Sequence, residues 1–265
     1  AWRRCEVMKL TFLGTGTSFG VPVPGCDCGV CTSDDPRNWR TRHGLLLEDG
    51  GRRLLVDTPP ELRLQLLAAK VDRLDGVFIT HAHADHVHGI DDLRAFTNRA
   101  GYRLPVYVAA EYEEELRTRF AYFWGPDART TPGSSIPGLD LVTFEDRDHI
   151  EAAGFDLETI AFPHGWFRSY GFRVGDLAVI VDAKEVPDSA VPLLQGVPVL
   201  VINALWYGNP HPTHFNVEEA LEAARRLEAG TTYLTHLTHR VDHADLESRL
   251  PAGVKPAWDG LTIEI

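Results

Sequence analysis

A hydrophobic run ending in a cluster of metal-ligand side chains restricts this chain more than any other feature. Val77 to Gly89 reads VFITHAHADHVHG. Val77-Phe78-Ile79-Thr80 is apolar and β-branched, the pattern of a buried strand. His81, His83, Asp85 and His86 follow at once. Alternate side chains of an extended segment share a face, so His81 and His83 can converge on one ion. Asp85 and His86 fall over the next turn, where Gly89-Ile90-Asp91-Asp92-Leu93 starts a helix, and can face a second ion. Neutral imidazoles with a carboxylate suit Zn²⁺, Mn²⁺ or Fe²⁺ and suit Ca²⁺ poorly. A metal-scavenging surface tract would lie in a polar run, whereas this motif follows a strand.

The remaining sequence must supply further ligands and a core. At 265 residues, 44% hydrophobic and 24% charged, the chain can form one large α/β domain over residues 1–265. No apolar run reaches the length of a membrane span. The basic Arg3-Arg4 pair precedes no apolar segment or cleavage site, so a cytoplasmic location is expected. A formal net charge of −12 argues against a long nucleic-acid footprint, which needs a basic stripe. It leaves room for a small phosphorylated substrate.

In chain order, residues 8–13 form a first strand running into Gly14-Thr15-Gly16-Thr17-Ser18, either an anion-binding loop or a tight turn. Cys26, Cys28 and Cys31, in a Gly/Pro-bounded CxCxxC loop (26–31), can wrap one structural Zn²⁺. The fourth ligand is open among Cys5, His43 and the late histidines. Leu45–Glu48 and Arg53–Asp57 read as a hairpin around Asp49-Gly50-Gly51. An amphipathic helix is expected over Pro60–Lys70 with Leu62, Leu66 and Leu67 inward, then helices over Asp91–Arg99 and Glu111–Trp124. Residues 125–138 read as a loop, and a second half of the alternation starts near Asp140. In that half, strands end at His164, Asp182 and His236, and Asn216 with Glu219 forms a capping box ahead of a helix over Val217–Glu228.

HAHADH matches the HxHxDH signature of the metallo-β-lactamase superfamily, and the later residues recur in that family's order. The resemblance implies a four-layer αββα sandwich of the α/β (α+β) class. It implies one ion on His81, His83 and His164, another on Asp85, His86 and His236, and Asp182 bridging them. Asp57, at the end of LLVDTPPEL, would orient a ligating histidine from behind, or cap the helix that follows. Ala84 stands where flavodiiron oxygen reductases carry Glu, which argues against di-iron redox chemistry.

Within the superfamily, GTGTSFGVPVPGCDCGVC, HGWFRSYGF and LTHLTH resemble the phosphoribosyl cyclic phosphate phosphodiesterases of the carbon–phosphorus lyase pathway. In that group the cysteine loop and a late histidine, here His239, bind the structural zinc, and a histidine matching His214 assists the leaving group. His211 is the competing residue. The expected chemistry is attack on a small phosphodiester, cyclic in that group, by a hydroxide shared between two divalent ions. Arg168 is expected to clamp phosphate. A homodimer is what the group suggests. The competing functions are a tRNA 3′-processing endonuclease, a thioesterase of the glyoxalase II type, and a metal-binding scaffold without turnover.

Overall fold

The computed structural model describes residues 7–126 and 128–265, apart from the side chains of residues 99 and 100. Its first half runs β1 (Lys9–Gly14), β2 (Gly44–Asp49), β3 (Arg52–Val56), α1 (Leu62–Ala68), β4 (Gly76–Ile79), α2 (Ala84–Val87), α3 (Arg94–Ala100), β5 (Leu104–Ala109), α4 (Ala110–Arg119), α5 (Ala121–Trp124) and β6 (Leu139–Phe144). Its second half runs β7 (His149–Ala152), β8 (Phe155–His164), β9 (Phe167–Val174), β10 (Leu177–Ile180), α6 (Val191–Leu194), β11 (Val199–Asn203), α7 (Val217–Arg226), β12 (Thr231–Thr235), α8 (His243–Arg249), β13 (Val254–Pro256) and β14 (Thr262–Glu264).

These strands make two seven-stranded sheets, ordered β14-β1-β2-β3-β4-β5-β6 and β13-β12-β11-β10-β9-β8-β7. The strand period of two explains the layering. In β10, Leu177 and Val179 join the core containing Leu10, Phe12, Phe78 and Val106 of the other sheet. The intervening Ala178 and Ile180 join a second core with Val217, Ala220 and Ala224 of α7. One face of the sheet therefore meets the other sheet and the opposite face meets helices, which is the αββα arrangement. The parallel strands β3 to β6, and β10 to β13, are joined by helical crossovers.

The β2–β3 hairpin closes through Gly50 and Gly51, both at positive φ (56° and 75°), the geometry of a type I′ turn. Helix α1 is shorter than expected and buries Leu62, Gln65 and Leu66, while Leu67 is 61% exposed. Its inward face therefore follows the i, i+3, i+4 spacing. The helix expected over Glu111–Trp124 breaks at Phe120, whose ring stacks on Phe123. Strand β6 is an edge of the first sheet, parallel to β5, so the second sheet begins at β7 and not near Asp140. The C-terminal β14 returns to pair with β1, a long-range closure that local pattern does not signal. No helix among the described residues is long and apolar enough to cross a membrane.

Candidate metal centre

Metal-ligand side chains gather where strands end. Asp57 follows β3, His81 to His86 follow β4, and His164 ends β8. Asp182 follows β10, and His236 follows β12. Strands buried on both faces hold their ends rigidly, so groups from both sheets are presented at one rim. Asp57, Asp182 and His236 all have positive φ (63°, 53° and 59°). Left-handed backbone at three non-glycine positions is strain concentrated where the chain must turn a side chain into the site.

Two donor clusters meet there, His81, His83 and His164, and Asp85, His86, Asp182 and His236, and a third grouping of His164, Asp182 and His214 overlaps both. Nε2 of His81 lies 2.9 Å from Nδ1 of His83, which lies 3.3 Å from Nε2 of His164. Asp182 faces both clusters, with Oδ1 3.0 Å from His236 Nε2 and Oδ2 3.2 Å from His86 Nε2 and 3.7 Å from His81 Nε2. Ligands held about 2.0–2.1 Å from a tetrahedral ion lie about 3.4 Å apart, which is the spacing seen. His86 Nε2, Asp182 Oδ1 and both His236 ring nitrogens are buried without a hydrogen-bond partner. Buried polar atoms left so are costly, and divalent cations in the site would satisfy His86 Nε2, Asp182 Oδ1 and His236 Nε2. The donor set therefore fits two ions.

The supporting groups fix which nitrogen faces the centre. Asp57 Oδ2 lies 2.7 Å from His86 Nδ1, which donates, leaving the Nε2 lone pair directed at the site. The Thr80 hydroxyl donates to Asp57 at 2.9 Å, and its oxygen accepts from His81 Nδ1 at 3.0 Å. One buried carboxylate thus orients two histidines, His86 directly and His81 through Thr80. Thr213 O accepts from His164 Nδ1 at 3.1 Å. Thr80 and Thr213 escaped sequence reading because their roles depend on contacts between separate loops. Gly89 closes the motif: a Cβ there would lie 2.0 Å from Pro59 O.

Electrostatics follow from burial. His81 and His236 are kept neutral, His236 pushed down to about 3, chiefly by burial. Burial would also lower His86, but the carboxylates of Asp57, Asp85 and Asp182 overcome it and raise it well above the imidazole range. Burial would raise Asp182, but His236, His86 and His214 hold it well below the carboxylate range.

His83, Asp85, His164, Asp182 and His236 line a cavity of about 630 Å³, walled also by Ser18, Gly165, Trp166, Phe167, Pro212, Thr213 and His214. Among the described residues, none that lines it is Lys or Arg. His214 Nε2 lies 3.4 Å from Asp182 Oδ2, while His211 sits behind, its Nδ1 3.2 Å from His214 Nδ1 and its ring against Trp206. Arg168, expected as a phosphate clamp, is not in the cavity wall. Strand alternation turns Phe167 inward and Arg168 outward, where its Nε pairs with Glu111 at 2.9 Å.

A separate grouping brings Cys26, Cys28, Cys31 and His239 together. The three Sγ atoms lie 3.2, 3.6 and 3.6 Å from His239 Nδ1. A tetrahedral zinc with bonds of about 2.3 Å to sulfur and 2.0–2.1 Å to nitrogen sets them about 3.5 Å apart. The Cys31 amide lowers Cys28 to about 6, and burial raises Cys31 to about 11. Among the other candidates for fourth ligand, His43 is buried 3.9 Å from Asp57, and Cys5 lies outside the described residues.

This donor set on this sandwich has a family counterpart: residues 52–237 match the β-lactamase superfamily domain. The chain belongs to the metallo-β-lactamase superfamily. A solved structure of a new diphosphatase from the PhnP family superposes with a TM-score of 0.88 at 34% identity, covering 97% of each chain. An octanoyltransferase of Porphyromonas gingivalis is 34% identical over 96% of this chain but only 51% of its own length. A ribonuclease Z of Bradyrhizobium is 31% identical over 73% of this chain and 61% of its own. The chain thus spans about half to three fifths of the length of these two curated relatives.

Proposed function

We propose that this chain is a binuclear metal-dependent phosphodiesterase acting on a small diester, with a separate structural zinc. The observation that carries the reading is Asp182, whose Oδ1 addresses His236 and whose Oδ2 addresses His86 and His81. A carboxylate shared in this way suits a pair of divalent cations, Mn²⁺, Zn²⁺ or Fe²⁺. In this reading His81, His83 and His164 hold one ion and Asp85, His86 and His236 the other. Cys26, Cys28, Cys31 and His239 hold the structural zinc. When bound, two such ions neutralise phosphate charge and lower the pKa of water toward neutrality.

The chain's own residues do the rest. His81, His83, His86, His164 and His236 are buried or half-buried, neutral or pinned by a hydrogen bond, so they need little reorganisation. Water gives up one proton to solvent as its oxygen adds to phosphorus, and the opposite P–O bond breaks, the leaving oxygen taking a proton from His214 Nε2, which solvent then replaces. His214 suits that task because Thr213 Oγ1, at 2.8 Å, and His211 hold its other nitrogen. With no Lys or Arg in the wall, a monoanionic diester fits better than a dianionic monoester or a nucleic-acid strand. A cyclic diester remains part of the proposal.

The names of two relatives, a diphosphatase and a ribonuclease, support phosphate chemistry. The octanoyltransferase name belongs to a protein about half of which lies outside the match. The test is hydrolysis of bis(p-nitrophenyl) phosphate by metal-loaded protein, beside p-nitrophenyl phosphate, a thioester and a precursor tRNA. Diester turnover abolished in Asp182→Ala supports the reading. Turnover of the thioester or of precursor tRNA alone overturns it in favour of those activities, and no turnover with both ions bound favours a scaffold.

A further inference from the structure

The rim of the cavity carries a feature that metal chemistry does not use. Trp166 is 100% exposed and Phe167 50% exposed, yet both line the cavity that holds His83, Asp182 and His214. A fully exposed indole is unusual, since Trp normally contributes its large apolar surface to a core or an interface. The backbone that carries it is held in place. His164 pairs with Phe167 across the β8–β9 turn, leaving Gly165 and Trp166 as its two central residues. Gly165 has φ +65° and Trp166 does not have a positive φ, the geometry of a type II′ turn. A Cβ on Gly165 would lie 2.7 Å from Thr213 Cγ2, so the turn packs closely on the loop that carries His214. The Phe167 ring meets His83 edge-on, 5.0 Å between centroids, making the aromatic surface continuous with the metal donors.

We infer that Trp166 and Phe167 form a platform for a flat, unsaturated group carried by the phosphodiester, of the chemical class of a nucleobase. This rests on the phosphodiesterase reading above. The wall offers no Lys or Arg for a second phosphate, and Arg168 beside the platform is engaged by Glu111. What it offers beyond the donor clusters is aromatic surface, and stacking accepts any planar base because each has a π-face. A cavity of about 630 Å³ has room for such a group beside the phosphate. An aliphatic diester would leave the platform unused.

Two measurements on the metal-loaded protein test this. The first compares kcat/KM for adenosine 2′,3′-cyclic phosphate with that for the base-free methyl riboside 2′,3′-cyclic phosphate. The wild-type preference for the adenosine compound should shrink roughly 5- to 100-fold in Trp166→Ala and less in Trp166→Phe. It should stay unchanged in Trp39→Ala, an exposed tryptophan (62%) that does not line the cavity. The second follows tryptophan fluorescence, taken as wild type minus Trp166→Phe. Adenosine 5′-monophosphate should quench that component and ribose 5-phosphate should not. Equal losses on both cyclic phosphates, or no quenching, overturn the platform while leaving the phosphodiesterase reading intact. If neither diester is turned over, that reading falls and the quenching alone decides the platform.

Discussion

Asp57 and His86 are 29 positions apart in the chain, yet Asp57 Oδ2 lies 2.7 Å from His86 Nδ1. The same carboxylate takes the Thr80 hydroxyl and backbone amide, so its charge is shared between the two ends of the metal-donor loop that follows β4. Its own backbone is left-handed, at φ 63°. Asp57→Ala should therefore weaken binding of the catalytic ions about 10- to 100-fold, because two histidines lose their orientation together. Competition against a chromophoric chelator measures this. An affinity within threefold of wild type would show that packing alone aligns the rings.

Asp259 supplies a prediction about pH away from the catalytic centre. It accepts from the amides and hydroxyls of Thr15 and Thr41 at 2.6–2.8 Å, tying the C-terminal segment to two loops of the first sheet. Burial raises its carboxyl from 3.8 to about 6, against those hydrogen bonds. The folded chain thus holds this proton more tightly than the unfolded chain. Its contribution to stability is fully present below about 3.8 and is lost as pH rises through about 6. Asp259→Asn, stripped of metal like the wild type, should be less stable throughout. Its deficit should be larger near pH 4 than pH 7, by on the order of 2–3 kcal/mol. Thermal melts across that range decide it, and parallel profiles would count against a raised Asp259.

Local pattern carried much of this architecture. The run before His81, the Gly50-Gly51 hairpin and the Asn216–Glu219 capping box are short-range signals, and each appears where expected. The donor residues were legible because each ends a strand or begins a helix, positions that punctuate sequence. Hidden from sequence were contacts set by tertiary approach. Thr80 bridges Asp57 to His81, β14 closes on β1, and Arg168 turns outward to Glu111. Leu67 looked inward because the apolar stripe of α1 is wider than the face the sheet covers.

The contrast between His214 and Arg168 follows from where each side chain points. His214 lines the cavity with Nε2 facing Asp182, whereas Arg168 is 51% exposed at its side chain and paired with Glu111. His214→Ala should lower kcat about 10²- to 10⁴-fold on a diester with an alkyl leaving group, the range for losing a general acid, and less on bis(p-nitrophenyl) phosphate. A leaving group as acidic as p-nitrophenol needs less help, so the loss should grow with alkyl leaving groups. Arg168→Ala should stay within roughly threefold, since an exposed ion pair contributes little. A large loss in Arg168→Ala would restore it as a phosphate clamp that swings in on binding.

His236 and His239 belong to two different donor groups although only two residues separate them. The segment between is pinned: Leu237 N donates to Thr15 O at 2.8 Å, and Thr238 O accepts from the buried Arg40 at 2.8 Å. Zinc held by Cys26, Cys28, Cys31 and His239 would clamp this segment from one end and so hold His236 at the other. His239→Ala should lower metal content from about three ions per chain to about two, and weaken the remaining catalytic sites as His236 loses its support. Each kcal/mol lost should lower Tm by about 2–4 °C in a chain of this size. Elemental analysis with thermal melts and chelator competition measures all three effects. Full catalytic-site affinity in His239→Ala would mean that Arg40 and Thr15 hold His236 without the zinc.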